Sequence, residues 1–311
     1  MSNRRDFLKR LGGSAALLGV SGIPSISYAK NDITKITILH TNDVHSHIDP
    51  FPENDAKYPG LGGVSQRAAL INKIRNEEKN VLLFDVGDIF QGTPYFNLYG
   101  GELEMKLMTQ MAYDASTIGN HDFDNGIDGL VKQLPHAKFP FINSNYDFSD
   151  TAMNGKTLPY KIFEKEGIRI GVFGLGIELE GLVGKKEYGN TQYLDPMVKA
   201  AEMSHLLKEE LECDLVVCLS HLGYKYKEEK ISDVLIAKKS KNIDLILGGH
   251  THTFLDTPVR LSNRDGKEIL VCQVGWAGIK LGRIDYYFEK SSKKKQAIGA
   301  AIKVSKKTSG I

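Results

Sequence analysis

Seven side chains of metal-binding type stand in five short runs of this sequence: Asp43 with His45, Asp88, Asn120, His221, and His250 with His252. Each run follows a stretch of apolar or small residues. Ile36-Thr-Ile-Leu39 precedes the first, Val81-Leu-Leu-Phe84 the second, Ala115-Ser-Thr-Ile118 the third, Leu215-Val-Val-Cys-Leu219 the fourth and Leu245-Ile-Leu247 the last. A short apolar run that breaks into Gly, Asn, Asp, Ser or His reads as a buried strand handing over a ligand at its carboxyl end, where open α/β sheets form their crevices. Asp43 and His45 are two residues apart, so an extended backbone would point both the same way. Four imidazoles and three side-chain oxygens suit Zn²⁺, Mn²⁺ or Fe²⁺ better than Ca²⁺ or Mg²⁺ alone. One ion uses three or four such donors, so seven suggest two ions sharing a carboxylate. A lone histidine at a strand end is an ordinary residue, and a lone Gly-Asp an ordinary turn. The recurrence at five strand ends in one chain carries the reading.

Those strands need a scaffold, and the remaining pattern supplies one. Helical spacing covers 64–79, 102–111 and 231–239. A further helix over 196–212 opens with Asp195 as N-cap and Pro196 in its first turn. Additional strands are expected at 139–145, 160–163, 169–175, 268–274 and 281–288. The chain has 311 residues, 41% apolar and 25% charged, enough for a sizeable core in one α/β catalytic domain over 30–311. Seven lysines between 290 and 307, with no acidic residue among them, suggest a solvated, partly flexible tail over 290–311. The net charge is +2, and residues 1–29 hold +3 of it, so the remainder is near neutral and presents no basic field for a nucleic acid duplex. Cys213, Cys218 and Cys272 lie in or beside apolar runs and read as buried small hydrophobes rather than a disulfide framework.

Residues 1–29 read as a targeting segment. Arg4 and Arg5 precede Phe7-Leu-Lys9, a small-residue apolar stretch follows, and Ser27-Tyr-Ala29 offers a cleavage site before Lys30. The segment resembles a twin-arginine export signal, which implies a periplasmic or extracellular mature protein. Its apolar run is short for a membrane span, and no stable membrane insertion is expected.

Taken together, Asp43-x-His45, Gly87-Asp88-x-x-Gln91, Gly119-Asn-His-Asp122, Ser220-His-Leu-Gly223 and Gly249-His-x-His252 resemble the calcineurin-like metallophosphoesterases. Leu39-His-Thr-Asn-Asp43 and Gly119-Asn-His-Asp-Phe-Asp124 look like the catalytic domain of the exported 5'-nucleotidase / UDP-sugar hydrolase family. The resemblance implies a four-layer αββα sandwich of two mixed sheets flanked by helices. It implies one ion held by Asp43, His45, Asp88 and His252, and a second by Asp88, Asn120, His221 and His250, with Asp88 bridging. It implies hydrolysis of a small phosphate ester, a nucleotide above all, by metal-activated hydroxide attack on phosphorus. His121 would be the catalytic histidine and Asp124 the carboxylate that orients it.

Two departures qualify the resemblance. Many nucleotidases carry Gln where this chain has His252, and the larger ones add a carboxyl-terminal specificity domain that is not expected within this sequence. Three alternatives therefore stand beside a 5'-nucleotidase-like hydrolase: the catalytic subunit of a split nucleotidase with a separate specificity chain, a related sulfur-ester hydrolase, and a non-catalytic metal-binding scaffold. The last would be marked by a lost ligand or a lost His121, and all of these residues are present.

Overall fold

A computed structural model describes residues 33–292 and 294–310, so the export segment expected at 1–29 lies outside the described residues. The larger sheet runs in the order β15 (Lys295–Lys303), β14 (Lys280–Glu289), β1 (Ile33–Thr41), β2 (Val81–Asp85), β3 (Ala115–Ser116), β4 (Phe141–Ile142) and β6 (Thr157–Leu158). From β1 to β6 its neighbours are parallel, while β14 and β15 add antiparallel strands at one edge. The second sheet runs β12 (Val259–Ser262), β13 (Glu268–Cys272), β11 (Leu245–Gly248), β10 (Leu215–Ser220), β8 (Ile168–Leu175) and β7 (Tyr160–Lys165). It is parallel from β13 to β8 with an antiparallel strand at each edge. A separate ribbon pairs β5 (Tyr146–Asp147) with β9 (Gln192–Tyr193).

The alternation of side chains explains why these runs form two stacked sheets. In β2, Leu82 and Phe84 point into a core shared with Val217 and Leu219 of β10 and Leu245 and Leu247 of β11. Val81 and Leu83 point the other way, onto α1 (Val64–Glu77), α2 (Pro94–Tyr99), α3 (Glu102–Gln110) and α4 (Gly126–Gln133), with α5 (Lys185–Tyr188) beside them. On the far side, Val216, Cys218 and Ile246 pack on α6 (Pro196–His205) and α7 (Asp233–Lys239). Strands buried on both faces read as continuous apolar runs, which is how they stand in the sequence. The result is the mixed four-layer αββα sandwich. All three cysteines are free and buried.

Phe84 is fully buried in the layer between the sheets, edge-on to Phe163 of β7 with centroids 5.5 Å apart. Phe84→Ala should therefore cost about 3–5 kcal/mol of stability. Denaturant unfolding checks this, and a loss under about 1 kcal/mol would mean that the two sheets do not share one packed core.

Some boundaries differ from the sequence reading. The 139–145 run yields only the two-residue β4, because Asn143 turns the chain and its side chain accepts the backbone N–H groups of Asn145 and Tyr146. The lysine-rich stretch is not a tail. Residues 295–303 pair along β14, and α8 (Lys306–Ser309) closes with a Ser305/Thr308 capping box and a Ser309 hydroxyl donated to the Gln66 carbonyl. Val304 is fully buried, and Lys295 and Lys303 stand at the two ends of the edge strand, where charged side chains help keep it from pairing further.

Candidate metal centre

The parallel strands of both sheets end at one place, and the turns that follow carry the candidate ligands. β1 leads to Asp43 and His45, β2 to Asp88, β3 to Asn120, β10 to His221, and β11 to His250 and His252. None of these turns is simply extended. Asp43, His45, Asp88, His250 and His252 all have positive φ, between 48° and 68°. Non-glycine residues rarely adopt this left-handed region, and each such residue costs on the order of 1–3 kcal/mol. The expectation that Asp43 and His45 share a side through an extended backbone is thus incorrect. β1 stops at Thr41, and a left-handed turn brings the two side chains together.

Buried hydrogen bonds hold these turns. Asp122 accepts the backbone N–H groups of Gly119, Asp88 and Ile89 at 2.8, 3.1 and 2.9 Å, clamping the β2 and β3 turns to each other. Asp43 accepts the His250 N–H at 2.9 Å, which joins the two sheets' contributions. Gln273 binds the 249–253 turn through the Gly249 carbonyl and the Thr251 hydroxyl. Asn42 bridges to the Gly275 carbonyl and the Val274 N–H. Glycine is required where these turns touch. A Cβ on Gly119 would lie 2.2 Å from Asp88 Oδ1, and one on Gly249 would lie 2.8 Å from His221 Nδ1.

The side chains gather in two groups, Asp43 with His45 and His252, and Asp88 with His221 and His250. In the first, the Nε2 atoms of His45 and His252 stand 2.9 Å apart, and His252 Nε2 is 3.4 Å from Asp43 Oδ1. In the second, His221 Nε2 is 3.1 Å from Asp88 Oδ2, and Asn120 Oδ1 is 2.8 Å from His250 Nδ1. Asp88 Oδ2 also lies 3.8 Å from His45 Nε2, between the groups.

The donor set fits divalent cations. His45 Nδ1 donates to the Phe90 carbonyl at 3.1 Å, and His221 Nδ1 to the Val86 carbonyl at 2.6 Å. Each neutral ring then presents an Nε2 lone pair to the centre, the tautomer that metal ligation uses. The His221 lone pair faces a carboxylate at 3.1 Å, a repulsive contact unless a cation stands between them. A proton can play that part. Burial opposes the imidazolium, but the Asp88 and Asp43 carboxylates outweigh it and push His221 up to about 10. Burial, with His221 nearby, pushes His250 down to about 4, so that ring stays a neutral donor.

His121 stands apart from both groups. Its backbone N–H donates to Asp88 Oδ1 at 2.8 Å, while its ring lies edge-on to that of His45 at 5.3 Å, with Nδ1 3.1 Å from Asp124 Oδ1 and Nε2 3.3 Å from Gln91 Nε2. The Asp124 hydrogen bond raises the His121 pKa above the ordinary histidine value, against the effect of burial. The sequence reading does not single out Asp122, Gln273 or Trp276. Trp276 lies parallel to the His252 ring with centroids 5.8 Å apart and planes 8° apart. A carboxylate beside His121 is the only local signal for Asp122; nothing local signals the other two.

The family model for Calcineurin-like phosphoesterase matches residues 36–254, a span holding all seven candidate ligands with His121 and Asp124. The chain belongs to the calcineurin-like phosphoesterase family. Among relatives of this phosphoesterase, a snake venom 5'-nucleotidase from Naja atra is 33% identical over 88% of the chain and 54% of that protein. A 5'-nucleotidase from Vibrio cholerae is 36% identical over 76% of the chain and 44% of that protein. The crystal structure of a 5'-nucleotidase precursor from Thermus thermophilus superposes with a TM-score of 0.78 at 30% identity, covering 88% of this phosphoesterase and 55% of the other chain. The chain spans about half the length of the curated relatives it matches. Calcineurin-like phosphoesterases use divalent metals, and the two ligand groups found here are the candidate sites for them.

Proposed function

We propose that this phosphoesterase hydrolyses phosphate monoesters of the nucleotide class, as a 5'-nucleotidase-like enzyme. Asp43, His45, Asp88 and His252 would hold one ion, and Asp88, Asn120, His221 and His250 the other, with zinc, manganese or iron as the ions. The observation that carries this reading is the position of Asp88 Oδ2, within 3.1 and 3.8 Å of a histidine from each group, where one carboxylate can serve two ions. Bound divalent ions supply a water of lowered pKa and neutralise phosphate oxygens. The chain's own residues do the rest. Asp88 and Asp43 supply the negative charge that retains the ions. Asp124 accepts the Nδ1 proton of His121 and so sets the ring's orientation. His121 then holds a proton on Nε2 and delivers it to the leaving oxygen as the phosphorus–oxygen bond breaks. The Gln91 amide nitrogen lies 3.3 Å from the same nitrogen and can donate to it only while that nitrogen is unprotonated.

Purified protein loaded with each candidate metal should release inorganic phosphate from 5'-nucleotides with a higher kcat/KM than from cyclic nucleotides, sugar nucleotides or simple aryl phosphates. Phosphate release from none of these esters, with either metal group filled, would overturn the reading. A separate specificity chain would appear in the same assay as a partner that lowers KM for nucleotides selectively.

Export belongs to this proposal. Residues 1–29 carry the twin-arginine pattern, and among the described residues no helix is long and apolar enough to cross a membrane. Arg4→Lys with Arg5→Lys should leave the precursor inside the cell. Fractionation checks this, and undiminished appearance of mature protein beginning at Lys30 would sink the idea.

A further inference from the structure

Beside the metal centre, sharing His252 as a wall, lies a cleft of about 520 Å³. That volume falls in the range of small-molecule sites, roughly 300–1,000 Å³. Three aromatic residues from separate segments line it. Tyr58 comes from the loop before α1, Phe254 follows His252 by two residues, and Trp276 comes from the turn between β13 and β14. The Tyr58 and Phe254 rings stand 6.1 Å apart, and Tyr58 meets Trp276 edge-on at 6.4 Å. Since Trp276 also lies parallel to His252, aromatic surface runs without a break from a candidate metal ligand out into the cleft.

The rim is cationic. Lys57, Lys280 and Lys303 line the cleft, and among the described residues no carboxylate does. Lys280 is engaged, with its ammonium 2.5 Å from Asp256 and 5.2 Å from the Phe254 ring. Lys57 and Lys303 are exposed at the edge. Nothing in hydrolysis of a phosphate at the two-ion centre requires this combination. Aromatic faces bind planar rings such as nucleobases by stacking, and flexible ammonium groups bind phosphate as point charges.

We propose that this cleft is a leaving-group subsite that takes a nucleoside bearing a second phosphate remote from the one being hydrolysed. The scissile phosphate sits at the ions, the base lies against Trp276 and Tyr58, and the second phosphate meets Lys57 and Lys303. The chemical class is that of a nucleoside 3',5'-bisphosphate. The assignment rests on the proposed phosphoesterase reading, since it needs the scissile group at the metal centre, but its test does not depend on turnover.

Trp276 is the single tryptophan of the chain, so its fluorescence reports the cleft directly. The metal-loaded full-length protein is titrated with adenosine 3',5'-bisphosphate, AMP, adenosine and inorganic phosphate. The expected order of half-saturation is bisphosphate lowest, AMP next and adenosine weakest, with inorganic phosphate giving no comparable quenching. Lys57→Ala combined with Lys303→Ala should raise the half-saturating bisphosphate concentration about tenfold, and that for AMP much less, because a charged hydrogen-bonded contact is lost only for the second phosphate. Both lysines are exposed, so the fold is not at risk. No quenching by the bisphosphate, equal quenching by inorganic phosphate, or an equal shift for both nucleotides would overturn the subsite. Quenching in the expected order without phosphate release from any ester would retain the cleft and discard the hydrolase reading; turnover without quenching would do the reverse.

Discussion

Asp88→Asn should remove at least one metal ion per chain and lower phosphate release by more than about 100-fold. The substitution keeps the side chain's shape, and an amide oxygen can still accept the His121 N–H that Asp88 Oδ1 accepts at 2.8 Å. What it removes is the charge between His221 and His45. Loss of an outer hydrogen-bond partner to a metal ligand already costs about 10–100-fold in affinity or activity, and a carboxylate serving two ions should cost more. Elemental analysis of the desalted protein and an inorganic phosphate assay give the two numbers. Two retained ions with undiminished turnover would show that Asp88 bridges nothing.

His121→Ala should separate chemistry from metal binding. The imidazole contacts Asp124 and Gln91 and stands edge-on to the His45 ring at 5.3 Å, while its hydrogen bond to the candidate centre is a backbone N–H that alanine retains. Turnover should fall by about 10²–10⁴-fold, the range for losing a positioned general acid, with metal content equal to that of the unaltered protein. A variant that loses its metal would place His121 among the ligands. One that keeps both metal and rate would leave the leaving group's proton to come from solvent.

The strands that deliver the ligands are legible because burial on both faces makes each one an unbroken apolar run, such as Val81 to Phe84, ending abruptly at Gly or a donor side chain. The helix start at Asp195 follows from local capping chemistry, and its side chain accepts backbone N–H groups as caps do. The left-handed turns at Asp43, His45, Asp88, His250 and His252 cannot be read in the same way. Only the contacts made by the folded chain hold such residues at positive φ, and most of those contacts join segments remote in sequence. Asp122 resembles any turn aspartate until Asp88 and Ile89, more than thirty positions earlier, supply the amides it accepts. The cleft beside His252 depends on Tyr58 and Trp276, over two hundred residues apart, and no local pattern announces it. The lysine-rich stretch over 290–307 misleads for the opposite reason: its charge is local and evident, while the pairing of its 295–303 part with β14 is what makes that part a strand.

The network that holds those left-handed turns extends the centre's dependence beyond the residues that could touch an ion. In small zinc modules the unfolded chain has no site, and the ion supplies the free energy of folding. Here five unfavourable backbone positions are also held by the protein's own hydrogen bonds: the Asp122 carboxylate, the Asp43 link to His250, and the side chains of Gln273 and Asn42. The candidate ligand turns are thus tied to one another and to the folded domain by hydrogen bonds between segments remote in sequence. A substitution at Asp122 or Gln273 would therefore loosen the centre while leaving every candidate ligand in the chain.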